Sequence, residues 1–171
     1  MNVREIQQIL LNNTYTKPDY IRRLTLIREY LESRFFAENK INFSDYLVNV
    51  KALQIDREAL SVLDEHFFHL FTRDNVYLLI NGLTESIKVL PTLTLYLAVM
   101  LDDYQIMELG KWFRQNLNPE LIIDVRCNPT LVSGCSYVWN NRYKDLSLHY
   151  FLSKKQELIT RILDAYAKQQ L

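Results

Sequence analysis

Apolar positions in the first ninety residues recur at intervals of three and four. Val3, Ile6, Ile9 and Leu10 fall on one face of a short helix. Pro18, preceded by Thr16 as a cap, then opens a longer helix. Its apolar stripe runs through Ile21, Leu24, Ile27, Leu31 and Phe35, with Arg22, Arg23, Arg28, Glu29 and Glu32 on the opposite face. Asn42 or Ser44 opens a third helix with Tyr46, Leu47, Val50 and Leu53 inward. Asp56 is placed to cap a fourth, with Glu58 in its first turn and Leu60, Leu63, Phe67 and Leu70 as its stripe. Asp74 is placed to cap a fifth, carrying Tyr77, Leu78, Ile80, Leu83 and Ile87 and ending before Pro91. Short amphipathic helices joined by brief connections predict a helical bundle over residues 1–90.

Beyond Pro91 the pattern changes. Residues 92–100 (TLTLYLAVM) are β-branched, leucine and aromatic, and predict a strand. Asp102 and Asp103 then cap a helix with Ile106, Leu109, Trp112 and Phe113 on one face, which Asn118-Pro119 ends. Residues 121–125 predict a second strand, Asn128-Pro129 a turn and residues 135–139 a third strand. Asn140-Asn141 predicts a hairpin turn, with Arg142 and Tyr143 beginning the return. Leu148, Leu152, Leu158, Ile159, Ile162 and Leu163 describe a last amphipathic helix. The expected architecture is α+β in two domains, an all-α bundle at 1–90 and a small α/β domain at 91–171.

Composition narrows the function. Twenty basic and twenty acidic residues cancel, which removes the electrostatic footprint of a nucleic-acid binder. Residues 95–101 form one of the longest apolar stretches, far short of the roughly 20 residues a membrane span needs. Gln7 and Gln8 interrupt the N-terminal apolar run where a signal peptide would be continuous. The expectation is a soluble intracellular chain with no nucleic acid partner and no direct membrane insertion.

Candidate chemistry is sparse. His66 and His69 follow Glu65 in DEHFFH, whereas a zinc protease helix needs His-Glu-x-x-His. Cys127, Cys135 and His149 match no metal knuckle spacing. The two cysteines are expected to be reduced, partly buried thiols, able to pair only from adjacent strands. Three glycines in the whole chain leave little from which to build a phosphate-cradling loop. Eleven tyrosines and eight phenylalanines fall mostly at core spacing without a basic run, as packing residues do. No catalytic, cofactor or metal residue is expected.

The most specific stretch is DVRCNPTLVSGCSYVWNNRYKDLSLHYFL. It is similar to the C-terminal signature of the delta subunit of F-type ATP synthases, the oligomycin-sensitivity-conferring protein of mitochondria. That signature is a strand, Asn/Asp-Pro-x-Leu-x-Gly-Gly, a short strand pair, then Asp-x-Ser and a leucine-rich helix. Asn128, Pro129, Leu131, Gly134, Asp145, Ser147, Leu148 and Leu152 match it, while Ser133 stands at the first glycine. Pro129 is expected to fix a turn, and Gly134 to supply a positive φ or a close approach. Asp145 or Ser147 is expected to cap the last helix, and Ser133 implies that one position needs glycine's freedom.

The resemblance implies a non-catalytic stator subunit that links the catalytic head to the b-subunit stalk and supports proton-driven ATP synthesis. It implies alpha subunits of the head as partners of the N-terminal bundle and b subunits as partners of the C-terminal domain. It also implies a peripheral place on the cytoplasmic face of a bacterial cell membrane. Tyr150, Phe151 and Ile159 are the expected stalk contacts, in a helix-in-groove mode. Two other readings compete: a helical adaptor unrelated to ATP synthase, and a small thiol enzyme using Cys127 or Cys135.

Overall fold

Thr16 and Pro18 do start the long helix. In the computed structural model, which describes residues 3–37 and 41–169, the Thr16 hydroxyl accepts from the Asp19 backbone N–H at 3.2 Å, with Pro18 in the first turn. That helix is α2 (Lys17–Phe36), preceded by α1 (Val3–Leu11). The chain continues through α3 (Phe43–Asn49), α4 (Gln54–Leu60), the single turn α5 (Glu65–Phe68), α6 (Val76–Ser86) and a 3-10 turn at Ile87–Val89. Asn42, not Ser44, caps α3 by accepting from the Asp45 N–H at 2.8 Å.

Ile6, Leu10, Leu24, Ile27, Leu31, Val76, Ile80 and Leu83 meet in one buried cluster. Tyr30, Phe43 and Phe68 lie within 5.0 Å of one another by ring centroid, and Phe67 stacks edge-on to Phe68. These aromatic rings are therefore packing residues.

Several positions depart from the periodic reading. The expected fourth helix is two pieces, α4 and α5, because Asp64 caps a new turn by accepting from the Phe67 N–H. Asp56 does not cap α4; it lies inside it, fully buried, and receives Arg22 Nε at 2.5 Å and Arg23 Nε at 2.8 Å. Arg23 is 3% exposed, not on a solvated face. It also donates to the Asn13 carbonyl and the Thr14 hydroxyl, and such saturation lets a guanidinium be buried. Asp74 precedes the true start of α6, whose N-cap is Asn75. Val50, Leu53, Tyr77 and Leu78 face solvent.

The chain divides into two compact units and passes between them three times. The first unit takes the chain up to Pro91 together with Asp102–Ile123, and the second takes Thr92–Leu101 and the chain from Asp124. Within the first unit, α7 (Asp103–Asn116) begins with a reciprocal cap. Asp102 accepts from the Gln105 N–H at 2.8 Å, and the Gln105 side chain accepts from the Asp102 N–H at 3.0 Å. Gly110 is required there: a Cβ would lie 2.5 Å from the Tyr15 Cβ.

The sheet runs β2-β1-β3-β4, from β1 (Thr92–Leu97), β2 (Ile122–Cys127), β3 (Cys135–Trp139) and β4 (Arg142–Asp145). β1 ends at Leu97, short of the expected Met100. β3 pairs antiparallel with both β1 and β4, placing Leu97 opposite Cys135 and Ser136 opposite Asp145. Asn140 and Asn141 take positive φ of 49° and 59°, which makes the two-residue hairpin turn that the sequence predicts. The chain closes with α8 (Leu148–Lys154) and α9 (Gln156–Gln169).

Candidate docking surface

The signature residues of the second unit converge on one loop and the start of α8. The Asn128 side chain accepts from the Thr130 N–H at 3.2 Å and from its hydroxyl at 2.7 Å. Pro129 opens a 3-10 turn to Leu131, whose side chain is buried. The Ser133 N–H then donates back to the Leu131 carbonyl at 2.7 Å, a γ-turn centred on Val132 at φ 64°, ψ −51°. Gly134 follows at φ 83°, where a Cβ would lie 2.6 Å from the Leu146 carbonyl oxygen. Glycine at 134 thus serves both expected roles, a positive φ and a close approach. A second positive φ exists, but it falls on Val132 and not on Ser133.

Ser147 is the cap. Its side chain is buried and accepts from the Tyr150 N–H at 3.2 Å. Asp145 acts one step earlier, accepting from the Ser147 N–H at 2.8 Å. Hydrogen bonds from Ser147, its hydroxyl first and then its backbone, hold the Asp145 carboxyl below the usual carboxylate range. Leu148 N–H donates to the Ser133 carbonyl and Leu146 N–H to that of Cys135. Gly134, Asp145 and Ser147 therefore fix where α8 begins.

What α8 and α9 then present is apolar and uncovered. The expected single helix breaks at Lys155, whose φ of −109° and N–H bond to Leu152 end α8. None of the residues described on either helix is buried. Leu148, Leu152, Leu158, Ile162 and Leu163 are exposed, as are Phe151 at 49% and Tyr166 at 67%. On α9 the stripe Leu158, Ile159, Ile162, Leu163 and Tyr166 keeps three- and four-residue spacing, one helical face. Ile159 lines a shallow groove of about 370 Å³ at the α8–α9 junction with His149, Leu152 and Gln156. Tyr150 is half-buried, with the Lys154 ammonium 4.6 Å from its ring centroid and Phe151 edge-on at 5.7 Å. Contiguous exposed apolar stripes are features that interaction surfaces commonly carry.

Catalytic geometry is not assembled around the sequence candidates. His66 and His69 are exposed. Among the described residues, no group of three or more His, Cys, Asp or Glu side chains is placed to hold a metal. Cys127 and Cys135 are unpaired, and β1 lies between their strands. Two strand spacings separate them by roughly 10 Å, beyond disulfide reach. Periodicity also did not single out Val132, whose positive φ is a backbone feature that leaves no signal in apolar spacing.

Fold and surface together define an α+β protein of two units whose C-terminal helices carry an exposed apolar stripe. The chain is similar to the ATP synthase subunit delta of Dichelobacter nodosus (strain VCS1703A), with 27% identity over 146 residues. The match covers 81% of this chain and 74% of the relative. Such a span includes part of the helical half, and bears out the delta-subunit resemblance drawn from the C-terminal motif. No protein-family model matches the chain. No described helix is long and apolar enough to cross a membrane.

Proposed function

We propose that this chain is a non-catalytic peripheral-stalk subunit of an F-type ATP synthase. It links the catalytic head to the b-subunit stalk, so that rotor torque drives synthesis instead of turning the head. The observation that carries the reading is the 146-residue similarity to a protein named as ATP synthase subunit delta. The uncovered stripe of α8 and α9 supports it, because a stalk made of helices needs such a face to grip.

In this reading the helical module, residues 1–90, receives the N-terminal helices of alpha subunits. The module at 91–171 receives b-subunit ends, with Tyr150, Phe151 and Ile159 among the contacts. Asn128, Pro129, Leu131, Gly134, Asp145 and Ser147 hold the fold that presents them. The complex places the chain peripherally on the cytoplasmic face of the cell membrane.

Affinity purification of the tagged chain from its own host tests the reading. Alpha, beta and b subunits should be enriched, and F1 should detach from washed membranes when the chain is depleted. A pull-down without ATP synthase subunits would overturn it and favour an unrelated helical adaptor.

A further inference from the structure

The break between α8 and α9 falls in the middle of a pattern that does not break. Leu148, Phe151 and Leu152 form the exposed apolar face of α8. Placed on one uninterrupted helix of 3.6 residues per turn, they and the α9 stripe share a single arc of about 140°. Over residues 148–166 the arc takes in one further position, Lys155, which lies near its centre. The lone polar residue of the combined face is thus the residue at which the helix is interrupted.

Local chemistry does not demand the interruption. From Leu148 to Gln169 there is neither Pro nor Gly, the two residues least compatible with a helix interior. Lys155 sits at φ −109°, ψ 14°, and a rotation of about 50° in each dihedral makes it helical. Across the junction its N–H reaches the Leu152 carbonyl at 3.1 Å, and the Ile159 N–H reaches the Lys155 carbonyl at 3.0 Å. Closing the break adds i→i−4 bonds from the N–H groups of residues 156–158 to the last carbonyls of α8.

Packing is what the junction lacks. Helices draw most of their stability from tertiary contact, and α8 has 7 residues, well below the roughly 12 to 15 at which an isolated helix becomes marginal. Residues 154–158 are exposed, so water satisfies the open backbone groups and the break costs little. A helix laid over both halves reverses that balance, because only the fused form sets their apolar residues on one line. That line runs about 28 Å from Leu148 to Tyr166 at 1.5 Å per residue. The methylene stem of Lys155 can lie along it with the ammonium at the rim.

We propose that α8 and α9 join into one helix through Lys155 when a partner helix covers their apolar face, so that docking and helix completion are coupled. The proposal rests on the stator reading for the identity of that partner, a b-subunit helix.

Backbone NMR of the full chain tests it, by titration with a synthetic peptide of the C-terminal segment of the host's b subunit. Lys155 should have a non-helical Cα shift in the free chain and a helical one at saturation. Amide exchange at residues 156–158 should slow by about tenfold, roughly the worth of one net hydrogen bond. Lys155→Ala and Lys155→Gly both remove the lysine and differ mainly in helix propensity. By calorimetry the alanine variant should bind the peptide about fivefold more tightly than the glycine variant, which is that difference in propensity. Equal affinities of the two variants, or a bound state in which Lys155 keeps its non-helical shift, would overturn the proposal and leave the stator reading standing. No binding by the wild-type chain or either variant at millimolar peptide would remove the stalk contact, and the proposal with it.

Discussion

Two arginines from one turn of α2 converge on a single carboxylate. Arg22 reaches Asp56 through Nε and Nη2, and Arg23 reaches it through Nε. Burial would raise the Asp56 carboxyl, but hydrogen bonds from Arg22 and then Arg23 outweigh it and hold the group below the usual range. Asp56→Asn leaves a buried guanidinium without its anion, and urea unfolding should show a loss of roughly 3–5 kcal/mol. Because the folded value is depressed, this stability is present above the unfolded value near 4 and is lost as pH falls through the folded one. Tyr20 has the opposite sign. Burial raises its hydroxyl to about 12, so its contribution is full below about 10 and is lost as pH rises from there. The Tyr20 hydroxyl is buried without a hydrogen-bond partner of ordinary geometry. Tyr20→Phe should therefore be neutral or stabilise by up to about 1 kcal/mol at pH 7, and should flatten the alkaline limb of stability. At Val132, a β-branched residue held at φ 64° stores strain. Val132→Gly should raise unfolding free energy by about 1 kcal/mol, read from the urea midpoint.

At the scale of elements, the sequence revealed most where local chemistry decides. Thr16 with Pro18, Asn42, the Asn140-Asn141 turn and Gly134 all act through neighbours within a few residues. Three features escaped because the spacing of apolar residues does not decide them. Arg23 is buried by Asp56 and by the α1–α2 connector, 33 and ten residues away. The break between α4 and α5 is a cap won by Asp64 inside a continuous apolar pattern. Periodicity also gives α9 the same kind of stripe as α2, yet Ile27 is buried and Ile162 is 48% exposed. Spacing reports that a face is apolar, never what covers it. The proposed docking residues were therefore legible as a stripe and only the structure shows them uncovered. This contrast is measurable. Ile27→Ala should cost roughly 2–5 kcal/mol by cavity formation. Ile162→Glu should shift stability by under about 0.5 kcal/mol, as exposed substitutions do. Yet Ile162→Glu or Phe151→Lys should abolish binding of a b-subunit peptide, measured by calorimetry. Unchanged affinity would remove α8 and α9 from the proposed stalk contact.

For the whole molecule, the division of the chain determines which parts respond together. Linear reading assigns everything beyond residue 90 to one module, since α7 lies between two strands of one sheet. The structure groups residues 102–123 with the helical unit instead. The ties are specific: Ile122 joins the helical core, Ile123 N–H donates to the Tyr15 carbonyl at 2.9 Å, and Arg114 holds Leu11 and Thr14. Gly110 lies against Tyr15 with no room for a methyl group. Gly110→Ala in the full chain forces that contact apart, at a cost of about 1–3 kcal/mol for overpacking. Because a compact unit opens cooperatively, the loss should appear wherever the helical unit's amides share that opening. Hydrogen exchange should accelerate in α1 and in residues 11–16, about a hundred residues away in sequence. Exchange in β3 and β4 should change much less. Acceleration confined to the strands beyond residue 123 would show that α7 belongs with the sheet, as sequence order alone implies.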